Sequence, residues 1–362
     1  MFKQVKKYPN SPDYIINNND VILLFPSKES IFIKNQDKIL ATLPIEEHAG
    51  NIFLIHDFLV WQDMFGRTKI WDKKNMDLVF EELDIEKELH IKPFEFTDNE
   101  IILCTLQESD SKKHKILNLR TFREEQLDGL AFIILIKDDR IIHKKRNRNI
   151  ICHNIEGEKQ WDISISGSFT LSDGNLKDIE LAHLLGTTDN TLWLKLNSFE
   201  IWGINIETGE IIHQIPQNNL VLDGIHIEKG IFLNLPVGTK HQLIPERGQI
   251  VGLDGTHFSS MDITQNEVTR NYFTIERTLN RFQGTASFRY TAFPYWNQYL
   301  FFCDDQQAKL GVFDMDTHEV VWSHQLDIPK EGIAQILEMQ YADPYWYVLD
   351  RYNTLHIFER ER

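Results

Sequence analysis

The sequence predicts an all-β protein folded as a single closed β-propeller, for which eight four-stranded blades fit best and seven are the alternative. Three observations predict it. Short runs of β-branched and aromatic residues fill the 362-residue chain, separated by Asp, Asn and Gly pairs. One hairpin pattern recurs at constant internal spacing, and a second turn pattern alternates with it. Closing such a series into a ring removes the unpaired edges that an open sheet of some thirty strands would leave.

The recurring hairpin starts with Asp or Asn, and in several copies Gly or Asn follows three or four positions later. An Asp or Asn side chain can bond the following backbone, and Gly or Asn tolerates the left-handed conformation such a turn needs. Asn205 to His213 shows the pattern, with Gly209 in the turn, and the copy at Asn154 is one residue shorter. The copies begin at Asp72, Asn118, Asn154, Asn205, Asp262 and Asp314. Weaker copies lie around Lys34 and Glu359.

A polar turn followed by an apolar strand precedes each hairpin. The two patterns alternate, which predicts a unit of four strands, a to d, with the polar turn between a and b and the hairpin between c and d. The polar turns begin at Asn19, His56, Asp98, Asp138, Asp189, Lys229, Asn297 and Asp343. One domain over 1–362 is expected, with approximate blades at 13–44, 48–84, 91–127, 130–163, 179–216, 219–275, 288–327 and 333–361. The last unit ends after its third strand, so the strand-like residues 2–8 are expected to supply its fourth.

These units resemble the pyrroloquinoline-quinone-type repeat, whose blades end in Asp-x-x-Thr-Gly-x-x-x-Trp. Residues Asp314 to Trp322 match all of this motif except the Gly, and Asn205 to His213 match the Thr-Gly but lack the Trp. WD repeats fit less well, since Trp71-Asp72 and Trp161-Asp162 have no Gly-His partner. The resemblance implies the propeller fold and does not imply the quinone cofactor.

The long connections are expected on one side of the blades. In a propeller the a–b and c–d turns lie at one end of each blade, and the b–c and d–a connections lie at the other. The d–a connections at 163–178 and 277–290 and a b–c connection at 235–256 are predicted to be extended. Insertions gathered on one face indicate a binding face. Candidate interaction residues there are Lys144, Lys145, Arg146, Arg148, Lys240, His241, Arg247, Arg277, Arg281 and Arg289, although solvated hairpin tips would carry the same residues.

Composition excludes some function classes. The formal net charge of −16 disfavours general nucleic-acid binding, because phosphates would be repelled, and it leaves a basic protein partner open. Cys104, Cys152 and Cys303 show no CxxC spacing and are expected to be free core thiols. No apolar run is long enough for a membrane span or a secretion signal, so a cytoplasmic protein is expected. The richness in Asn, Ile and Lys suggests a bacterial source.

No catalytic, cofactor or metal motif is present. HExxH, Gly-x-Ser-x-Gly, P-loop and Gly-x-Gly-x-x-Gly patterns are all missing. Asp304-Asp305 falls in a predicted b–c turn, where a carboxylate dyad or an ordinary turn would fit. Tyr295-Trp296 and Tyr345-Trp346 are interpreted as blade-to-blade packing, with an interaction edge as the alternative.

A non-enzymatic protein-binding scaffold is therefore the preferred hypothesis, with a bacterial immunity protein or an assembly adaptor as the roles that fit. The alternative is a propeller enzyme, a hydrolase or lyase acting on a sugar-like substrate in the central funnel. No cofactor is predicted, and the sequence makes no prediction of oligomeric state.

Overall fold

A computed structural model provides the structure of the chain. It describes residues 2–8, 13–17, 20–26, 30–35, 38–44, 51–55, 57–62, 68–72, 74–75, 77–82, 89–92, 101–108, 111–118, 123–127, 132–137, 139–154, 156–170, 174–215, 220–222, 225–226, 241–254, 257–265, 268–275, 293–304, 307–328 and 336–361. These residues fall into two compact units, Pro12–Ile165 (unit A) and Met1–Ser11 with Ser166–Arg362 (unit B).

Unit A contains four antiparallel four-stranded sheets, each built from consecutive strands. Sheet 1 consists of β2 (Asp13–Asn17), β3 (Asp20–Pro26), β4 (Ser30–Asn35) and β5 (Lys38–Pro44). Sheet 2 consists of β6 (Asn51–Ile55), β7 (Phe58–Gln62), β8 (Thr68–Asp72) and β9 (Leu78–Glu82). Sheet 3 consists of β10 (Leu89–Lys92), β11 (Ile101–Glu108), β12 (Ser111–Asn118) and β13 (Arg123–Leu127). Sheet 4 consists of β14 (Phe132–Lys137), β15 (Arg140–Lys145), β16 (Asn149–Asn154) and β17 (Lys159–Ser164), with a 3-10 turn at Arg146–Arg148.

Unit B begins with a two-stranded hairpin, β18 (Ser168–Thr170) and β19 (Leu176–Asp178). Sheet 5 consists of β20 (Leu181–Thr188), β21 (Thr191–Leu196), β22 (Ile201–Asn205) and β23 (Ile211–Ile215). Sheet 6 has six strands, β24 (Leu220–Leu222), β25 (Ile225–His226), β26 (His241–Ile244), β27 (Gln249–Asp254), β28 (His257–Asp262) and β29 (Arg270–Thr274). Sheet 7 consists of β30 (Tyr295–Trp296), β31 (Tyr299–Asp304), β32 (Lys309–Asp314) and β33 (Glu319–Gln325). Sheet 8 consists of β34 (Ile336–Ala342), β35 (Tyr345–Asp350), β36 (Leu355–Arg360) and β1 (Phe2–Tyr8).

The recurring hairpins form the c–d turns by the mechanism the sequence predicts. In sheet 7, the Asp314 carboxylate accepts the backbone N–H groups of Asp316 (2.9 Å) and Thr317 (3.1 Å). In sheet 5, Asn205 accepts from the residues two and three positions later in the same way. Gly209 takes a positive φ of 74°, and His318, at the position where the repeat motif has Gly, takes a φ of 59°. The missing Gly of the Asp314 copy therefore leaves the turn conformation unchanged.

The sixth repeat is organised differently from the prediction. Lys229-Gly230 was predicted as its a–b turn and lies outside the described residues. The a–b turn is instead Pro245–Arg247, a 3-10 turn that ends at Gly248 with a left-handed φ of 58°. Because 241–254 forms strands β26 and β27, which pair with each other, the predicted b–c insertion at 235–256 is wrong.

The added length in this repeat precedes β26. There, β24 pairs in parallel with the outer strand β29, and β25 pairs with β24, which widens sheet 6 to six strands.

The core of unit B lies between neighbouring sheets. Apolar side chains from sheets 5 and 6, 6 and 7, and 7 and 8 form three buried clusters. Close packing requires Gly311 on β32, since a Cβ built there would lie 2.2 Å from Cζ of the Phe302 ring on the paired strand. Gly203 on β22 is similarly crowded by Trp193 on its paired strand, at 3.0 Å.

The N-terminal strand is the fourth strand of sheet 8, where β1 pairs antiparallel with β36. Phe2 anchors it, with its ring 5.5 Å from that of Phe301 in sheet 7 and 5.9 Å from that of Trp346 in sheet 8. The packing interpretation is confirmed for the two tryptophans of the repeated aromatic pairs. Trp346 is fully buried in the cluster between sheets 7 and 8, and Trp296 of sheet 7 packs against Tyr341 of sheet 8.

Candidate functional site

The two ends of the sheets in unit B differ in construction. At one end, each c–d turn is bonded to the a–b turn of its own sheet. Such backbone bonds join Ile206 N–H to the Asn190 carbonyl (2.8 Å), and Met315 N–H to the Gln298 carbonyl (2.8 Å). In sheet 6 the bond joins Ile263 N–H to the Gly248 carbonyl (2.9 Å). This a–b/c–d end is therefore a repeated, internally satisfied structure.

The b–c/d–a end carries the additions. The predicted d–a extension at 163–178 contains the hairpin of β18 and β19, whose Leu176 is 74% exposed. Gly167, at a φ of 117°, starts this excursion, and its carbonyl accepts the N–H of Ile179 at 3.0 Å, which closes the loop. A large apolar side chain thus projects from an insertion that the repeat does not need. The predicted extension at 277–290 lies outside the described residues.

The b–c turn of sheet 5 is tied to the segment that follows this hairpin. Asn197 accepts the Glu180 N–H through its side-chain oxygen (2.9 Å) and donates its side-chain amide to the Asp178 carbonyl (2.9 Å). The backbone N–H of Asn197 also donates to the Glu180 carbonyl (2.9 Å). These three bonds fix the hairpin base to sheet 5.

A buried basic cluster, which we call the Lys195 cluster, lies between sheets 5 and 6. It consists of Lys195 near the end of β21, His241 at the start of β26 and Arg270 at the start of β29, and the three residues are 5%, 6% and 1% exposed. The Lys195 ammonium nitrogen is 3.1 Å from Nδ1 of His241. An ammonium can only donate, so this Nδ1 is the acceptor and is not protonated.

Charge and burial act together in this cluster. Burial, and then the nearby charge of Arg270, lower the pKa of Lys195 from its ordinary 10.5 to about 8. Arg270 donates from Nη2 to the carbonyl of Phe199 at 2.9 Å. Phe199 has a φ of 68°, and its ring centroid is 5.9 Å from Lys195 Nζ, within the range of a cation–π contact. The chain therefore gathers two cations in a poorly solvated place.

The predicted basic run is a b–c turn, as expected. Lys144 and Lys145 end β15, and Arg146–Arg148 form the 3-10 turn of sheet 4. Lys145 and Arg146 are exposed, whereas Lys144 and Arg148 are partly buried. The Arg148 carbonyl accepts the N–H of Ile165 (2.6 Å), which ties the turn to the chain leaving the sheet.

Two other candidate residues require correction. Arg247 lies in an a–b turn, and it bonds Asp316 of a c–d turn at 2.6 Å, so it belongs to the a–b/c–d end. His241 is buried in the Lys195 cluster and does not form an open basic surface. Lys240, Arg277, Arg281 and Arg289 lie outside the described residues.

The carboxylate dyad considered at Asp304-Asp305 gains no support. Asp304 is 1% exposed and caps its own turn by accepting the Gln307 N–H at 3.1 Å, while Asp305 lies outside the described residues.

A second buried polar pair lies in sheet 8, where Asp350 and His356 are 2.9 Å apart. Asp350 also accepts the backbone N–H groups of Tyr352 and Thr354. Hydrogen bonds from His356, Thr354 and Tyr352 hold the pKa of Asp350 below its usual value despite burial.

The described residues were compared with the requirements of a metal site, a disulfide and a membrane span. Among the described residues, no three His, Cys, Asp or Glu side chains cluster closely enough to hold a metal ion. Cys152 and Cys303 are buried and unbridged, and burial raises the pKa of Cys152. The Cys104 side chain lies outside the described part of the chain. In that described part, no helix is long and apolar enough to span a membrane.

Comparison with solved structures shows the fold. BamB from Moraxella catarrhalis is 9% identical, with 99% of this chain and 100% of that chain covered and a TM-score of 0.54. Sqt1 from Saccharomyces cerevisiae is 13% identical, with 99% of each chain covered and a TM-score of 0.56. The computationally designed protein Ika8 is 14% identical, with 99% of this chain and 98% of that chain covered and a TM-score of 0.56. The sequence matches no family model and no curated protein.

The protein is an all-β propeller. It resembles both the pyrroloquinoline-quinone-like repeat propeller BamB and the WD40 propeller Sqt1. At identities this low the likeness carries the fold alone, so the function has to be argued from the chain itself.

Proposed function

We propose that the protein is a non-enzymatic scaffold that binds a protein partner at its b–c/d–a end. One observation carries the proposal: the β18–β19 hairpin is an addition at this end, while the described a–b and c–d turns of unit B repeat one short construction. Insertions on one face of a repeat array are typical of a binding surface, because a rigid frame tolerates them there. The 74% exposed Leu176 gives the hairpin an apolar contact.

The partner proposed is a basic protein. With a net charge of −16, the chain attracts a basic partner at long range, and charge complementarity speeds association. A specific interface needs about 800 Å² on each partner. A bacterial immunity protein that neutralises a basic toxin, or an assembly adaptor, fits this description. A cytoplasmic location fits the two free thiols.

Loop replacement tests the scaffold. Replacing residues 168–178 by a Gly-Ser linker should leave the thermal midpoint within a few degrees and reduce recovery of the co-purifying partner at least tenfold. The matched control changes the other end, by Thr208→Ala and Glu210→Ala in a c–d turn, and should keep the partner. Loss of the partner in the control, with retention in the hairpin variant, would place the site at the a–b/c–d end.

We also propose that the sheets form eight blades of one closed ring, with sheets 1 to 8 as the blades and β1 as the closing strand. The pairing of β1 with β36 and the packing of Phe2 on Phe301 support this. Deleting residues 1–8 should expose the β36 edge and lower the thermal midpoint by 10 °C or more. An unchanged midpoint would contradict closure through β1.

The enzyme alternative makes a different prediction. Neutralising buried ionisable groups such as Asp304 would abolish turnover in a sugar hydrolase or lyase. A scaffold keeps its partner affinity after Asp304→Asn. Turnover of a glycoside that disappears in this variant would favour the enzyme over the scaffold.

A further inference from the structure

The Lys195 cluster places two positively charged side chains in a buried position between sheets 5 and 6. Lys195 and Arg270 are 5% and 1% exposed, and the charge of Arg270 acts unfavourably on Lys195. Burying a charge costs several kcal/mol unless it is paired and hydrogen-bonded. Such a cost persists when the group has a task that requires its charge.

The donors of Arg270 indicate what the cluster lacks. Among the described residues, Arg270 donates from Nη2 to the Phe199 carbonyl at 2.9 Å. The Nε–H is buried and has no hydrogen-bond partner among the described residues. A buried N–H of this kind is nearly always satisfied in a folded protein, by protein, water or ligand. The guanidinium therefore retains a donor for an acceptor that the described chain does not provide.

We propose that the Lys195 cluster is an anion-binding site that takes one carboxylate or phosphate group of a small molecule. An anion beside Arg270 would accept its Nε–H and offset its repulsion of Lys195. Guanidinium groups suit both anions because their planar fork matches the oxygens, and bonds between charged partners are about twice as strong as neutral ones. Lys195 is also held in place by His241, so it is positioned before the anion arrives.

The site lies wholly within unit B and does not depend on a protein partner. With Nδ1 of His241 accepting from Lys195, the imidazole proton lies on Nε2. The cluster would offer the ligand the positive charges of Lys195 and Arg270. A monoanion or a dianion meets this requirement.

The test uses the full chain, sodium phosphate and sodium acetate as probes, and sodium chloride at equal ionic strength as the reference, all at pH 7. Thermal midpoints are measured for wild type, Lys195→Met and Arg270→Lys. NMR of the ¹⁵N-labelled lysine side chains follows the Lys195 Nζ signal, assigned by its loss in Lys195→Met. The matched control is Lys159→Met, which removes an exposed lysine paired with Asp162 at 2.9 Å.

The expected result is a saturable rise in the midpoint of wild type with one or both probes, together with a shift of the Lys195 signal. Response to phosphate alone or to acetate alone identifies the ligand group. Lys195→Met should weaken binding about tenfold or more, as expected for a lost charged hydrogen bond, and Lys159→Met should bind as wild type. An unmoved Lys195 signal, or equal responses of wild type and Lys195→Met, would overturn the proposal. If Arg270→Lys fails to fold, the Lys195→Met and NMR results still decide.

Discussion

The two ends of the sheets in unit B use polar residues in opposite ways. At the a–b/c–d end, side chains such as those of Asp314 and Asn205 accept the N–H groups of their own turns, and their bonding is local. At the b–c/d–a end, Asn197 bonds an inserted segment and Lys195 is buried as a cation, and the Arg270 side chain reaches the Phe199 carbonyl there from just after the c–d turn of sheet 6. The first construction repeats along the chain, whereas among the described residues the second is seen between sheets 5 and 6. We infer that the locally bonded turns serve stability and that the inserted and buried polar residues serve function.

The largest expected effect on the free energy of unfolding is in the packed sheets that both ends share. Gly311→Ala should lower the free energy of unfolding by about 3 kcal/mol, because its Cβ would overlap the Phe302 ring in a close-packed cluster. Urea unfolding measures it. Phe302→Leu introduced with Gly311→Ala should recover part of the loss. An additive loss in the double variant would contradict the steric explanation.

Lys195→Met tests whether Lys195 serves function at a cost to stability, because this substitution should stabilise the protein. The folded pKa of Lys195, about 8, lies below the unfolded value of 10.5, so the unfolded state binds more protons between these values. The free-energy cost of burying the Lys195 charge is therefore fully present below pH 8, and it disappears as the pH rises to about 10.5. After allowing for the lost bond to His241, the substitution should add about 2 kcal/mol at pH 7 without phosphate.

The pH dependence provides the check on this prediction. Denaturant titrations at pH 7 and pH 10 should show that the gain from Lys195→Met shrinks as the pH rises, with Lys159→Met as the unaffected control. Arg270 and His241 face Lys195 equally in wild type and in Lys159→Met, so they do not affect that control. A destabilised variant at pH 7 would show that the charge of Lys195 is well compensated in the folded state.

Removing a turn carboxylate should have a moderate effect of the opposite sign. Asp314→Ala loses two backbone hydrogen bonds in the c–d turn of sheet 7 and should cost about 1 kcal/mol in chemical unfolding. Asp314→Asn keeps the accepting oxygen and serves as the control. Equal losses in both variants would mean that charge, and not turn bonding, is what matters there.

The smallest effect is expected at the hairpin. Leu176→Asn should change the free energy of unfolding by less than about 0.5 kcal/mol, because the side chain is 74% exposed. Thermal unfolding monitored by circular dichroism measures it. A loss above about 1 kcal/mol would show that Leu176 is part of the fold and not available to a partner.

Local bonding explains which parts of the fold the sequence could predict. The c–d turns carry Asp or Asn at a fixed offset because those side chains close the turn themselves, so their positions are readable from the chain. The a–b turn of the sixth repeat was missed because Pro245–Arg247 and Gly248 close it through backbone geometry without an Asp-Asn pair. The misplaced turn then produced a false b–c insertion at 235–256.

The candidate site was harder to predict because burial between sheets leaves no local pattern. Lys195 occupies a strand position that can face either solvent or a neighbouring sheet, and only packing against sheet 6 decides between them. One signal was available, since Lys195 stands in a run with Leu192, Trp193, Leu194 and Leu196, all of them buried. Arg270 closes a predicted hairpin and gave no sign of its contact with Phe199, 71 residues away.

Site-specific photo-crosslinking tests most directly whether the b–c/d–a end is the binding end. A photoreactive phenylalanine is placed at Leu176 on the hairpin, or at His318 in a c–d turn, and each full-length variant is irradiated in cells that naturally make the protein. We expect a discrete crosslinked partner from position 176 and none from position 318. A partner captured from position 318 and not from 176 would contradict the proposed binding end.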